Sequence, residues 1–108
     1  MPAINSGEVE TPCGVLRCTL AASKTCDVYF GNFVNANERL TRLEFDAHVK
    51  IVAMGLGKEP AEVEESVFAA GVLTLQAPLR EYLDLLANGG RKYVAPVANT
   101  GGADAGNV

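Results

Sequence analysis

The apolar positions between Thr41 and Leu56 fall on two opposite sides of one helix. At about 100° per residue, Leu43, Ala47, Ile51 and Met54 share one side, and Phe45, Val49, Val52 and Leu56 lie on the other. Polar residues fill the seams, Glu44 and His48 on one and Asp46 and Lys50 on the other. Such a helix is either the centre of a small domain or a core helix with one face left for a partner. Phe45, Val49, Val52 and Leu56 form the expected partner-facing set, because Ala47 and the flexible Met54 suit close packing inside the domain. Thr41 followed by Glu44 has the spacing of a capping box, and Gly55 stands where a left-handed C-cap residue belongs.

Before this helix the period is shorter. Glu8-Val9-Glu10-Thr11 and Val15-Leu16-Arg17-Cys18-Thr19-Leu20 flank Pro12-Cys13-Gly14, with Pro suited to the second and Gly to the fourth position of a type I turn. The pattern predicts a hairpin whose Leu16, Cys18 and Leu20 face a helical layer. From Ala22 the period becomes helical, with Ala22, Cys26, Tyr29, Phe33 and Ala36 on one stripe, and Asn32, Asn35 and Asn37 weakening the end of that helix. After Gly55-Leu56-Gly57, Pro60 and the carboxylates Glu62, Glu64 and Glu65 suit the first turn of a third helix that ends near Gly71 and packs Val63, Val67 and Ala70 inward. A fourth helix carries Leu75, Leu79, Tyr82, Leu83 and Leu86 and stops at Gly89-Gly90, with Pro78 restricting its start to Thr74–Ala77.

The predicted class is α+β: an N-terminal β-hairpin packed on a bundle of about four helices. The 108 residues suffice for one domain, which buries about 65% of the surface of its unfolded chain. That domain is expected over residues 1–94. Residues 95–108 have too little apolar bulk to offset ordering entropy and are expected to form a flexible tail.

Charge and composition then narrow the function. A net charge of −4 without a Lys/Arg cluster argues against a nucleic-acid partner, which would require cations to displace counterions from phosphates. No apolar run reaches the roughly 18 residues of a membrane helix, and the start lacks a signal-peptide pattern, so the chain is expected in the cytoplasm, away from membranes. Cys13, Cys18 and Cys26 are odd in number in a domain that needs no staples, and read as reduced apolar side chains.

Candidate chemistry is sparse. His48 is the sole histidine, and reads as a seam residue hydrogen-bonded to Glu44 one turn earlier rather than as a catalytic base. Cys13, Cys18, Cys26 and His48 make a zinc-ligand count, but Cys13 and Cys18 straddle a strand and Cys26 lies on a buried stripe. Glu62, Glu64 and Glu65 match a solvated helix start better than acid/base machinery. Gly55-Leu56-Gly57-Lys58 follows a helix rather than a strand and so makes no phosphate loop. Glu65-Ser66-Val67 sits in mid-helix, unlike the prosthetic-group serine of an acyl carrier protein. No catalytic residue, metal, cofactor or small-molecule substrate is expected, and the chain is not read as an enzyme.

The order of features resembles the phage tail assembly chaperones of the gene-transfer-agent type. The likeness rests on a Gly7-Glu8-Val9 strand, a second strand through Leu16-Arg17-Cys18-Thr19-Leu20, a helix with Tyr29-Phe30-Gly31, the run Lys50-Ile51-Val52-Ala53-Met54-Gly55-Leu56-Gly57, and a short acidic helix ending at Gly71. It covers about residues 7–90. Asn32, Asn35 and Asn37 depart from it, standing where the family has a stretch rich in leucine and glutamate. The resemblance implies a non-enzymatic protein of the bacterial host's cytoplasm that binds the tape-measure protein, meets the tail tube protein and self-associates. The alternative is a virion structural adaptor, such as a head-tail connector or a tail-tube-associated subunit.

Overall fold

In the computed structural model, residues 7–91 are described, and the segment expected to form a flexible tail, 95–108, lies outside them. The expected α+β class is observed. The order is β1 (Glu8–Thr11), β2 (Gly14–Arg17), α1 (Leu20–Phe30), α2 (Phe33–Thr41), α3 (Phe45–Leu56), α4 (Pro60–Ala70) and α5 (Val72–Ala87). The helices therefore number five among the described residues, not four.

The hairpin is antiparallel, with Val9 opposite Leu16 and Glu8 opposite Arg17. Its period-2 pattern puts Val9 and Leu16 on the helical side, where both are buried, while Glu8 and Arg17 form an exposed ion pair. Thr11 Oγ1 accepts from the Cys13 amide at 3.0 Å and donates to the Gly14 carbonyl at 2.8 Å, closing the Pro12-Cys13 turn. Leu20 does not belong to the strand. It opens α1, whose N-cap Thr19 accepts from the Ala22 amide at 3.0 Å.

The stripe read as one helix from Ala22 to Ala36 is divided at Gly31-Asn32. Gly31 takes φ 88°, and Asn32 Oδ1 accepts from the Asn35 amide at 2.7 Å as the N-cap of α2. Asn35 in turn donates to the Phe30 carbonyl at 2.7 Å. These asparagines end one helix and start another, the role in which their side chains compete best for backbone groups. Ala22, Cys26, Phe30, Ala36 and Leu40 still reach the core.

The capping box expected at Thr41 and Glu44 does not form. Thr41 ends α2, and the Leu43 amide donates to the Leu40 carbonyl while the Glu44 amide donates to Arg39, the paired bonds of a Schellman turn. The left-handed position of that turn falls on Leu43, at φ 62°, and α3 starts only at Phe45. Gly55 is likewise not a C-cap. It lies inside α3 against the hairpin, where an added Cβ would stand 2.7 Å from Leu16 Cβ, and Gly57 provides the left-handed cap at φ 70°, ψ 36°.

Two further helices close the domain. α4 begins at Pro60, with the Glu62 carboxylate accepting from the Glu59 amide at 3.1 Å, and buries Val63 and Val67. A single non-helical residue, Gly71, joins it to α5. Pro78 does not limit the start of α5. The helix begins six residues earlier at Val72, and the carbonyl that Pro78 leaves without an amide belongs to Thr74, on an exposed turn open to water. Gln76 donates to the Leu40 carbonyl at 3.0 Å and Arg80 to Thr41 Oγ1 at 3.1 Å, tying α5 to the end of α2. α3 packs against β2 and all four other helices, and β1 lies on α5.

Candidate docking surface

The central position of α3 settles what its two faces do. Ala47, Ile51 and Met54 are buried on one side and Val49 and Val52 on the other, at 2% and 0% exposure. The expected partner-facing set of Phe45, Val49, Val52 and Leu56 is therefore not an open face. Val49 and Val52 belong to the core, Leu56 is half-buried in a groove of about 360 Å³ between the start of α1 and the end of α3, and Phe45 alone is exposed, at the first residue of α3. Sequence periodicity counts apolar faces without saying what covers them, and here β2 and the four other helices surround α3.

The seams of α3 behave differently from each other. On one, Asp46 and Lys50 pair at 3.0 Å, and Arg39 of α2 bridges to Glu44 at 2.7 Å and to Asp46 at 3.2 Å while its guanidinium lies over the Phe30 ring. The hydrogen bond from Arg39 holds the Glu44 carboxyl below the usual carboxylate range, and Lys50 does the same for Asp46. On the other, His48 is fully buried. Its Nδ1 lies 2.7 Å from the Glu44 main-chain carbonyl, which can only accept, so Nδ1 carries the proton. Nε2 then presents a bare lone pair with no partner among the described residues, and burial pushes the imidazole pKa down. The expected bond to Glu44 is present, but to its backbone; its carboxylate is taken by Arg39 and Arg42.

None of the other sequence-derived candidates assembles. The three cysteines are free, and no group of three or more His, Cys, Asp or Glu residues able to hold a metal occurs among the described residues. Burial raises all three thiols, Cys26 to about 11 with a further push from Asp27. Gly55-Leu56-Gly57-Lys58 is the C-terminal end of a helix, where carbonyls rather than amides point outward. No described helix is long and apolar enough to cross a membrane.

What the fold leaves uncovered is apolar. Leu20, Val28 and Val34 are exposed on α1 and α2, and Phe68 and Leu73, at 79% and 76% exposure, flank the Gly71 junction of α4 and α5. On α1, Lys24 stands one turn from both Leu20 and Val28, where its aliphatic stem interrupts the patch. The junction has no such interruption. From Val67 to Leu75 the chain carries no charge, and Ala69 is exposed with Ala70 and Val72 half-buried. On α4, Ala61, Glu64 and Glu65 share the outward side of Phe68 at helical spacing. Phe68 and Leu73 were absent from the sequence-derived set although a signal was present: Phe68 stands a full 100° step from Val67, off the narrow stripe of Val63, Val67 and Ala70.

Compared with protein-family models, with curated proteins and with solved structures, the chain matches none.

Proposed function

We propose that this chain is a binding protein rather than an enzyme: a tail assembly chaperone of a phage or phage-like particle that covers the tape-measure protein and assists assembly of the tail tube. The observation that carries the reading is the uncovered apolar junction of Phe68 and Leu73 on an otherwise acidic helix pair. Large apolar side chains left in water on a small acidic domain suit a surface meant for another chain, and the acidic surroundings keep the unbound protein dispersed. A tape-measure protein is a long amphipathic helix that aggregates when bare. Many copies of a small chaperone along it gain from multivalency, and modest affinity per copy lets the tube displace them.

Co-expression with the cognate tape-measure protein tests this. The tape-measure protein is expected in the soluble fraction, bound to the chaperone, and in inclusion bodies without it, while purified particles lack the chaperone. A tape-measure protein equally insoluble in both cases would overturn the proposal. Stoichiometric presence in the particle would replace it with a virion structural adaptor.

A further inference from the structure

We infer that the Gly71 junction docks one amphipathic helix of a partner, with the partner's apolar stripe on Phe68 and Leu73 and Lys or Arg residues beside that stripe facing Glu64 and Glu65. The inference deepens the chaperone reading and rests on it only for the statement that the partner is helical.

Charge decides the class of helix. α4 and its cap carry Glu59, Glu62, Glu64 and Glu65, and no Lys or Arg lies within α4. The ion pairs among the described residues use Glu8, Glu38, Glu44 and Asp46, all outside α4. Glu62 is engaged by the Glu59 amide, which leaves Glu64 and Glu65 exposed with no cation paired to them among the described residues. An approaching acidic stripe would meet like charge, whereas a basic one completes the surface. Shape agrees with a helix. Ala61, Glu64, Glu65 and Phe68 form the i, i+3 and i+4 rows into which a second helix packs its ridges, and the small Ala61 and Ala69 permit close approach. The groove beside Leu56 is the weaker candidate, because Arg17 at its rim is paired with Glu8, and Glu59 lies there beside Lys58.

The test uses the purified full chain and two fluorescent peptides of roughly 20 residues, long enough to form helix in water, with the same leucine stripe and either Lys or Glu on the polar face. The Lys peptide is expected to bind with an affinity that falls as salt rises, and the Glu peptide to bind at least about tenfold more weakly. The double variant F68S/L73S should lose about tenfold or more of the affinity. E64Q/E65Q should lower affinity and flatten the salt dependence, while V28S/V34S, on equally exposed side chains of α1 and α2, leaves binding unchanged. All variants change exposed residues, and far-UV circular dichroism confirms that they fold. Wild-type binding by F68S/L73S, or equal binding of the two peptides, overturns the inference. So does light scattering that shows a wild-type dimer dissolved by F68S/L73S, since the occupant is then a second copy. Peptide binding at the junction without capture of the tape-measure protein removes the chaperone reading and leaves the surface. Capture that survives F68S/L73S does the reverse.

Discussion

Tyr82 donates its hydroxyl hydrogen to the main-chain carbonyl of Arg17 at 2.6 Å, joining α5 to the end of β2 across 65 residues of sequence. The side chain is fully buried, and burial raises the hydroxyl well above its usual pKa, so it remains a donor at any pH the protein meets. A two-stranded hairpin is marginal alone, and this bond ties it to the helical layer at the point where β2 ends. Tyr82→Phe keeps the ring and strands the Arg17 carbonyl. It should cost about 1–2 kcal/mol and lower Tm by roughly 5–10 °C. A calorimetric Tm unchanged within error would show that water replaces the bond.

Gly55 and Leu16 make the second attachment of the hairpin. Alanine is the better helix former by about 1 kcal/mol, but its Cβ would press on Leu16 Cβ, which sits in the core and cannot turn aside. Gly55→Ala should therefore destabilise by about 1–3 kcal/mol. In a Leu16→Gly background the same change should cost less, since the Cβ at 2.7 Å and the γ and δ carbons beyond it are gone. Additive effects in the double-mutant cycle, measured by denaturant unfolding, would mean that the contact is relieved by backbone movement.

These attachments show where sequence reading reached and where it stopped. Local signals were legible: Pro60 at a helix start, Pro12-Cys13 in a turn, and the Val63/Val67 and Leu75/Leu79 stripes all lie where spacing put them. Signals shared by two devices were misread. Thr41 and Glu44 have capping-box spacing, but the Schellman turn of α2 claims the Glu44 amide, and the cost of Leu43 in the left-handed region is offset by Arg39 and Arg42 bridging to Glu44. Gly55 and Gly57 both suit a cap, and only tertiary packing against Leu16 assigns Gly55 to close approach. The docking face failed for a related reason. Val49 and Val52 are buried because β2 and the other helices surround α3, while Phe68 is apolar with nothing in the described chain over it, and periodicity alone weighs the two alike.

The orphaned Nε2 of His48 gives the fold a defined acid limit. The neutral imidazole donates from Nδ1, and a second proton would place a charge in the core without a partner, which is why burial depresses its pKa below the ordinary value of 6.5. In the unfolded chain His48 binds a proton more readily than in the folded one. Stability should therefore be level above the ordinary histidine pKa and fall as pH drops below it toward the folded value. Glu44 and Asp46, with pKa values lowered by Arg39 and Lys50, add a separate loss at the lower pH where carboxylates titrate. His48→Leu removes the unpaired nitrogen, and the Glu44 carbonyl keeps the His48 main-chain amide as a donor at 3.2 Å. Its stability at pH 7.5 should lie within about 1.5 kcal/mol of wild type, and its urea midpoint should be flat between pH 6.5 and 5, where the wild type declines. A parallel decline in both proteins would locate the acid response elsewhere.

The division between α1 and α2 rests on Asn32, and it fixes how the Arg39 network reaches α3. Asn32 Oδ1 holds the Asn35 amide at 2.7 Å, so α2 starts cleanly at Phe33 after the break at Gly31, and Arg39 of α2 lies over Phe30 and against Glu44 and Asp46. Asn32→Ala removes the cap and should cost about 1 kcal/mol, whereas Asn32→Asp retains an acceptor, adds charge at the positive end of the α2 dipole, and should be neutral or slightly stabilising. Asn37 donates only a 3.3 Å bond to the Phe33 carbonyl within α2, so Asn37→Ala should improve helix propensity and leave stability within about 0.5 kcal/mol. Amide exchange distinguishes the capping role from simple helix weakening. In Asn32→Ala the amides of Val34, Asn35 and Ala36 should exchange faster while those of Cys26 to Phe30 keep their protection. Faster exchange spread evenly over both helices would mean that the chain had reverted to one weakened helix.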